Sequence, residues 1–238
     1  MKTTTSKFIW SVLVVLMMAL TQASCSSDDN EAPRASKAAY RLEIVNLTAS
    51  QPFSPPAVVI HTPGYQAWSI GSDASEGVEH LAEAGDASHF LSTAMADPDV
   101  ISTGQVSDLV LPGAKGSITM ESDWDVDLRI SYAAMLVNTN DAFAGQMDVN
   151  IGDLSVGDSF RTSAVAYDAG TEANTETAAT IPGPAGGGEG YSATADDHGF
   201  ISVHSGLVTA DDGLSGSILN ESHRWLNPVA HLTVTRIQ

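Results

Sequence analysis

Ile130 to Val137, ISYAAMLV, is a run with almost nothing polar in it, and it constrains the fold more than any other segment. A strand with one wet face alternates apolar and polar residues. A run that does not alternate must be covered on both faces. This segment therefore belongs in the middle of a sheet, with further layers on either side. It leads into MLVNTNDAFAG, Met135 to Gly145. A second strand-like stretch, Ser159 to Tyr167, leads into AYDAGTEANTE, Ala166 to Glu176. Each of these loops places carboxylates at the end of a buried strand.

Three oxygen-donor side chains stand out in the two loops: Asp141, Asp168 and Glu172. A hard cation such as calcium takes six to eight oxygens at about 2.3–2.6 Å. No short stretch of this chain supplies that many, but loops gathered at one end of a β-sandwich can share the task. Asp168 and Glu172 flank Gly170, which lets the chain curl back, and Asp141 comes from the other loop. The same residues also suit plain turns, because Asn and Asp bond their own backbone. Asn138, Asn140 and Asp141 need no ligand to belong in a loop, so both readings stay open on composition alone. The twelve-residue pattern of an EF-hand does not occur.

Elsewhere the pattern is mostly β. Tyr40–Thr48 alternates, with Leu42, Ile44 and Leu47 expected inward. The prolines of QPFSPP break the chain, and Ala57–His61 reads as a short buried strand. Further strands are expected at 117–121, 127–137, 159–167, 200–204 and 229–237. Ser75–Ala84 predicts a helix capped by Ser75 and ended by Gly85, with Val78, Leu81 and Ala82 on one face. A second short helix is expected at 87–94. PGPAGGGEG, 182–190, reads as a flexible loop. Several strands, many turns and few helices point to an all-β antiparallel sandwich with one or two short helices.

The beginning of the chain predicts export. Lys2 and Lys7 precede an apolar run of 13 residues, Phe8 to Leu20, and small residues follow in TQASC. Residues 1–24 read as a signal peptide of lipoprotein type, with Cys25 as the lipidation site. Ordinary cleavage after Ala23 is the alternative, because Gln22 stands where an aliphatic residue is expected. Residues 25–38 are polar and read as a disordered tether, leaving 39–238 for one domain. Without Lys2 and Lys7, 8 basic residues face 29 acidic ones, a formal charge of −21. Nucleic acid and anionic membrane surfaces are poor partners for such a chain. Membrane association is expected only through the lipid at Cys25, at the bacterial outer membrane or cell surface.

Other chemistries find little support. The seven histidines include no HExxH pair, and no cysteine remains to join them. They are read as surface or hydrogen-bonded side chains. GxSxG is missing, so a hydrolase triad has no local signature. Trp68, Trp124 and Trp225 are far apart in sequence and read as packing residues rather than a glycan platform. The chain is expected not to be an enzyme.

MLVNTNDAFAG resembles the signature of the spondin amino-terminal domain, in which a buried strand ends in an apolar triplet and runs into a loop with Asp, an aromatic and Gly. AYDAGTEANTE is similar to that family's Tyr-Asp-Ala-Gly-Thr-acidic segment, and PVAHLTVTRI resembles its last strand. SPPAVVIHT and GSDASEGVEHLAEAGD look like bacterial members. The resemblance spans about residues 40–238. It implies an eight-stranded antiparallel sandwich similar to calcium–lipid-binding domains, with one calcium ion held by Asp141, Asp168 and Glu172. It also implies an extracellular adhesion or matrix role with an unidentified protein or glycan partner. This chain has Glu172 where animal members have Asp, Ala142 in place of a tryptophan, and none of their cysteines. The expected function is a calcium-binding cell-surface adhesion module. The alternatives are a secreted metal-assisted hydrolase and a structural envelope protein without a dedicated ligand.

Overall fold

The computed structural model describes residues 37–123, 127–194 and 196–238. The signal, Cys25, nearly all of the tether and Trp124 lie outside the described residues. Ala38, the last residue assigned to the tether, is already buried in the first strand.

Nine strands and two helices follow one another: β1 (Ala38–Asn46), β2 (Ala57–His61), α1 (Glu76–Ala84), α2 (Ser88–Met95), β3 (Val100–Gln105), β4 (Lys115–Ser122), β5 (Arg129–Met135), β6 (Ala142–Asn150), β7 (Ser159–Asp168), β8 (Ser202–Val203) and β9 (Ala230–Arg236). The strand order is β3-β2-β5-β6-β7-β9-β1-β4, with β8 beside β7. Every pairing is antiparallel. β7 joins the two halves of the path. Its first half, Ser159–Ala164, pairs with β9, and its last residues, Val165–Asp168, pair with β6. The ends of the path approach each other, since the Ser102 hydroxyl on β3 donates to the Glu121 carbonyl on β4 at 3.3 Å. The result is an all-β, nearly closed fold. It has one strand more than the eight implied by family resemblance, the extra one being the two-residue β8.

β5 sits where its sequence requires, between β2 and β6 and buried along its length. Its apolar residues divide between two cores. Ile130, Tyr132 and Ala134 meet Tyr40, Leu42, Ile44, Leu232 and Val234 from the other half of the sheet. Ala133 faces the opposite way, toward Trp68, Val78, Leu81, Phe90, Phe143 and Tyr167. β2 divides in the same manner, with Val58 and Ile60 on one side and Ala57 and Val59 on the other. One face of this half is thus covered by strands and the other by the helix pair.

α1 begins as its cap predicts: the Ser75 side chain accepts the Val78 N–H, and Gly85 ends the helix at φ 68. Only a residue that tolerates the left-handed region fits that end. α1 and α2 pack closely because Gly77 has no side chain. A Cβ there would stand 2.8 Å from the Phe90 Cα.

Three expectations are corrected. Leu47 is exposed rather than inward, because β1 ends at Asn46 and the alternation stops with it. β3 and β6 were not anticipated; β6 starts at Ala142, inside the segment read as loop. The glycine-rich stretch 182–190 has no helix or strand but is tied down, with the Gly188 N–H on the Ile181 carbonyl (2.8 Å) and the Ala185 N–H on the Asn138 side chain (2.9 Å).

Trp68 and Trp225 are packing residues, as expected. The Trp68 ring meets Phe143 edge-on at 5.2 Å and Tyr167 at 5.4 Å. Trp68→Ala is expected to lower unfolding free energy by about 3–5 kcal/mol, the range for emptying a large aromatic from a core. Urea denaturation measures it, and a loss below about 1 kcal/mol would show that this second core contributes little.

Candidate functional site

Two neighbouring strands bring the acidic loops together. β6 and β7 are antiparallel, so the start of one lies beside the end of the other, and Ala142 pairs with Asp168. The loop entering β6 ends at Asp141, and the loop leaving β7 begins after Asp168. Both must emerge at the same end of the sheet.

Asp141 is fully buried. Its Oδ2 accepts the Thr171 N–H (2.8 Å), the Glu172 N–H (3.1 Å) and the Thr171 hydroxyl (3.3 Å). One carboxylate oxygen of the first loop therefore shapes the second loop. Its other oxygen, Oδ1, has no hydrogen-bond partner among the described residues. Asp168 accepts the Gly170 N–H and the Asn174 side-chain amide, both at 2.8 Å. The turn at Gly170 needs a glycine: φ is 72, and a Cβ would sit 2.4 Å from the Phe200 carbonyl oxygen. Glu172 is buried beside the Asn140 side chain, and its Oε2 has no hydrogen bond of normal geometry among the described residues.

The asparagines are bracing residues. Asn138 donates to the Ser50 carbonyl and accepts from Ala185, and the Asn140 Oδ1 accepts the Glu176 N–H. Thr139 bridges the turn between the Leu136 carbonyl and the Ala142 N–H. These residues have the structural role that turn chemistry predicts.

The structure joins Asp141 to Glu172 through the backbone of the second loop, but it does not gather the three expected ligands into one tight set. Among the described residues, Asp168 instead groups with Asp197 and His198, one ligand atom of each lying within 4.8 Å of the others. His198 Nδ1 is 2.5 Å from Asp197 Oδ2. His204, also buried, has Nε2 4.0 Å from Asp168 Oδ2, while its Nδ1 accepts the Gly206 N–H.

Two further acids belong to this region. Glu176 is buried; neither carboxylate oxygen makes a hydrogen bond of normal geometry among the described residues, although the Val208 N–H lies near enough to favour its charged form. It closes the very segment that contains Asp168 and Glu172, four residues past the latter, so its spacing was a usable signal. Glu83 lies on α1, 1% exposed. Its Oε2 accepts the Ser192 N–H at 2.8 Å, and its Oε1 is unpartnered. The helical pattern gave no sign of it, since Glu83 follows Ala82 at the edge of the apolar arc.

Burial sets the protonation of this cluster. Desolvation, then the nearby Asp168 charge, pushes Asp141 up to about 7. Desolvation, then Glu83, pushes Glu172 up to about 8. Glu176 is pushed up to about 7, chiefly by desolvation. Glu83 is raised by burial as well. Near neutrality Asp141, Glu172 and Glu176 therefore keep part of their protons, which a nearby positive charge would displace. A small cavity of about 60 Å³ lined by Asn140, Glu172, Glu189 and Asp196 opens beside them.

A model of the Spondin_N family matches residues 44–183, which is more than half of the chain and includes both acidic loops. The protein belongs to that family. A comparison with curated proteins gives no match. Asp196, Asp197, His198 and β9 lie beyond the matched span.

The raised acids make a pH prediction. Between about pH 4, where an unfolded carboxyl ionises, and about pH 8, the native cluster holds protons that the unfolded chain has released. Metal-free stability should therefore fall as pH rises through this window. Thermal melts in EDTA from about pH 7 to 8.5, above the range where buried His61 and His204 pull the other way, test this, and a melting temperature that climbs across it would contradict the assigned burial.

Proposed function

We propose that the protein is an exported, lipid-anchored adhesion or matrix-interaction module whose loop end is ordered by one calcium ion. The supporting observation is the set of buried carboxylate oxygens on Asp141, Glu172 and Glu176 that make no hydrogen bond of normal geometry among the described residues. Leaving such groups unpaired costs free energy, and a hard cation is the partner their chemistry suits. Asp141, Asp168 and Glu172 are the side chains to hold it, with Glu176 close by. Calcium supplies positive charge and oxygen coordination, so both loops are held in one arrangement. The loops then present a defined surface at the end of the sheet to a protein or glycan outside the cell. Anchoring is assigned to Cys25, which places the module at the outer membrane or cell surface. Among the described residues no helix is long and apolar enough to cross a membrane.

Calcium titration of the full chain tests this reading. At a hundred times the dissociation constant, a ligand specific to the native state adds about 2.7 kcal/mol, read as a saturable rise in melting temperature. Asp141→Asn keeps an oxygen to accept from Thr171 and Glu172 and removes a buried acid. This variant should melt no lower than the parent at pH 8 in EDTA, yet lose the calcium response. A parent that shows no response to millimolar calcium would favour an envelope component without a dedicated ligand.

A further inference from the structure

The helix pair carries a second cluster of metal-ligating side chains, remote in sequence from the acidic loops. Glu76 and His80 lie one turn apart on α1, and His89 faces them from α2. Glu76 Oε1 is 4.0 Å from His80 Nε2 and 3.6 Å from His89 Nδ1. One ligand atom from each of the three lies within 4.8 Å of the others. The imidazoles stack face to face, with centroids 4.3 Å apart and planes 6° from parallel.

The packing of the backbone makes this possible. Gly77, next to Glu76, admits the α2 backbone at Phe90, next to His89. Two histidines nine positions apart are thereby brought into contact, a spacing that matches no short motif. Tyr191 stacks on the outer face of His80 at 3.7 Å and 17°. The neighbouring Ser192 N–H is held by Glu83, so the tyrosine is anchored from below. Asp86 and Glu79 add negative charge around the cluster.

We propose that Glu76, His80 and His89 form a binding site for a divalent transition-metal ion of the zinc class, with water completing the coordination. Two imidazoles and a carboxylate are a borderline-soft donor set, suited to zinc or copper and poorly suited to calcium. In a tetrahedral site with metal–ligand distances of about 2.0–2.2 Å, ligand atoms stand roughly 3.3–3.6 Å apart. The His89–Glu76 separation already matches. The His80–Glu76 separation is a few tenths of an ångström longer, and Glu76 is an exposed side chain free to close it. A bound ion lies in the plane of each imidazole, so half-exposed His89 must turn out of the parallel stack to share the ion with His80. Coordination would clamp α1 to α2 and hold Tyr191 and its loop against the helices.

The test is zinc titration of the full chain without an affinity tag, in saturating calcium, followed by competition with a chromophoric chelator. Cobalt(II) substitution adds a visible spectrum that reports coordination geometry. One equivalent should bind, and His89→Ala and Glu76→Gln should each weaken binding at least about tenfold, or 1.4 kcal/mol. His89 is 48% exposed at its side chain, so removing it leaves the cores intact. His198→Ala should leave zinc binding unchanged, which separates this site from Asp168–Asp197–His198. Absence of saturable binding up to about 100 µM zinc, at or beyond the micromolar range of a usable site, overturns the proposal. So does binding that survives His80→Ala with His89→Ala, or that disappears in His198→Ala.

Discussion

The pairing of Ala142 with Asp168 is the constraint on which the candidate site depends. It makes the first loop end and the second loop begin side by side, so acids well separated in sequence become neighbours without any long-range side-chain contact to arrange them. The hydrogen bonds then build on that register. The Asp141 carbonyl accepts the Ala169 N–H at 3.2 Å, and its carboxylate accepts from Thr171 and Glu172. The second loop takes its shape from an acid belonging to the first. A slip of one residue between β6 and β7 would turn Asp141 to the other side and dissolve both loops together.

Much of this was legible because the strands that matter most have the least ambiguous patterns. ISYAAMLV fits only a strand covered on both faces, and β5 is one. AVVIH and the capped helix at Ser75 follow equally direct rules. β6 was hidden because its first residues, Ala142 and Phe143, continue a segment dominated by turn formers, and local composition outweighed the short apolar stretch. β3, VISTGQ, is only partly buried and carries no clean alternation. Of the site, Asp141, Asp168 and Glu172 were readable from strand ends. Glu83 was not, because its burial is decided by the 182–201 loop lying over α1, a tertiary event with no local signature. The same holds for His80 and His89, whose meeting depends on what Gly77 lacks.

The helix pair is more than a cover for the second core. α1 presents three kinds of residue on different sides: Val78 and Leu81 to the sheet, Glu83 to the acidic loops, and Glu76 with His80 toward α2. A single short helix thus touches both polar clusters. The loop carrying Tyr191, Ser192, Asp196 and Asp197 runs over the same ground, bonded to Glu83 at one point and to the Ala173 N–H through Asp196 at another. Ordering of this loop and ordering of the acidic site are therefore mechanically connected.

Two buried amides away from the acidic cluster show what a closed hydrogen-bond network looks like in this protein. Fully buried Asn46 donates to the Gln51 and Val110 carbonyls and accepts from Thr48 through both its N–H and its hydroxyl. Fully buried Gln51 donates to the Asn138 and His223 carbonyls and accepts the Asn138 N–H. These networks are closed, as a structural role demands, because an orphaned buried group costs about 1–3 kcal/mol. Asp141 Oδ1, Glu172 Oε2, Glu83 Oε1 and the Glu176 oxygens have no such partner among the described residues, and neither do Asn140 Nδ2 and Asn174 Oδ1 beside them or, in the cores, Trp68 Nε1 and Tyr132 OH. Four buried acids, three from the two loops and Glu83 from α1, concentrate negative charge at this end of the sheet, and that concentration is the ground for the calcium proposal. A purely structural loop would gain stability by replacing any one of them with its amide.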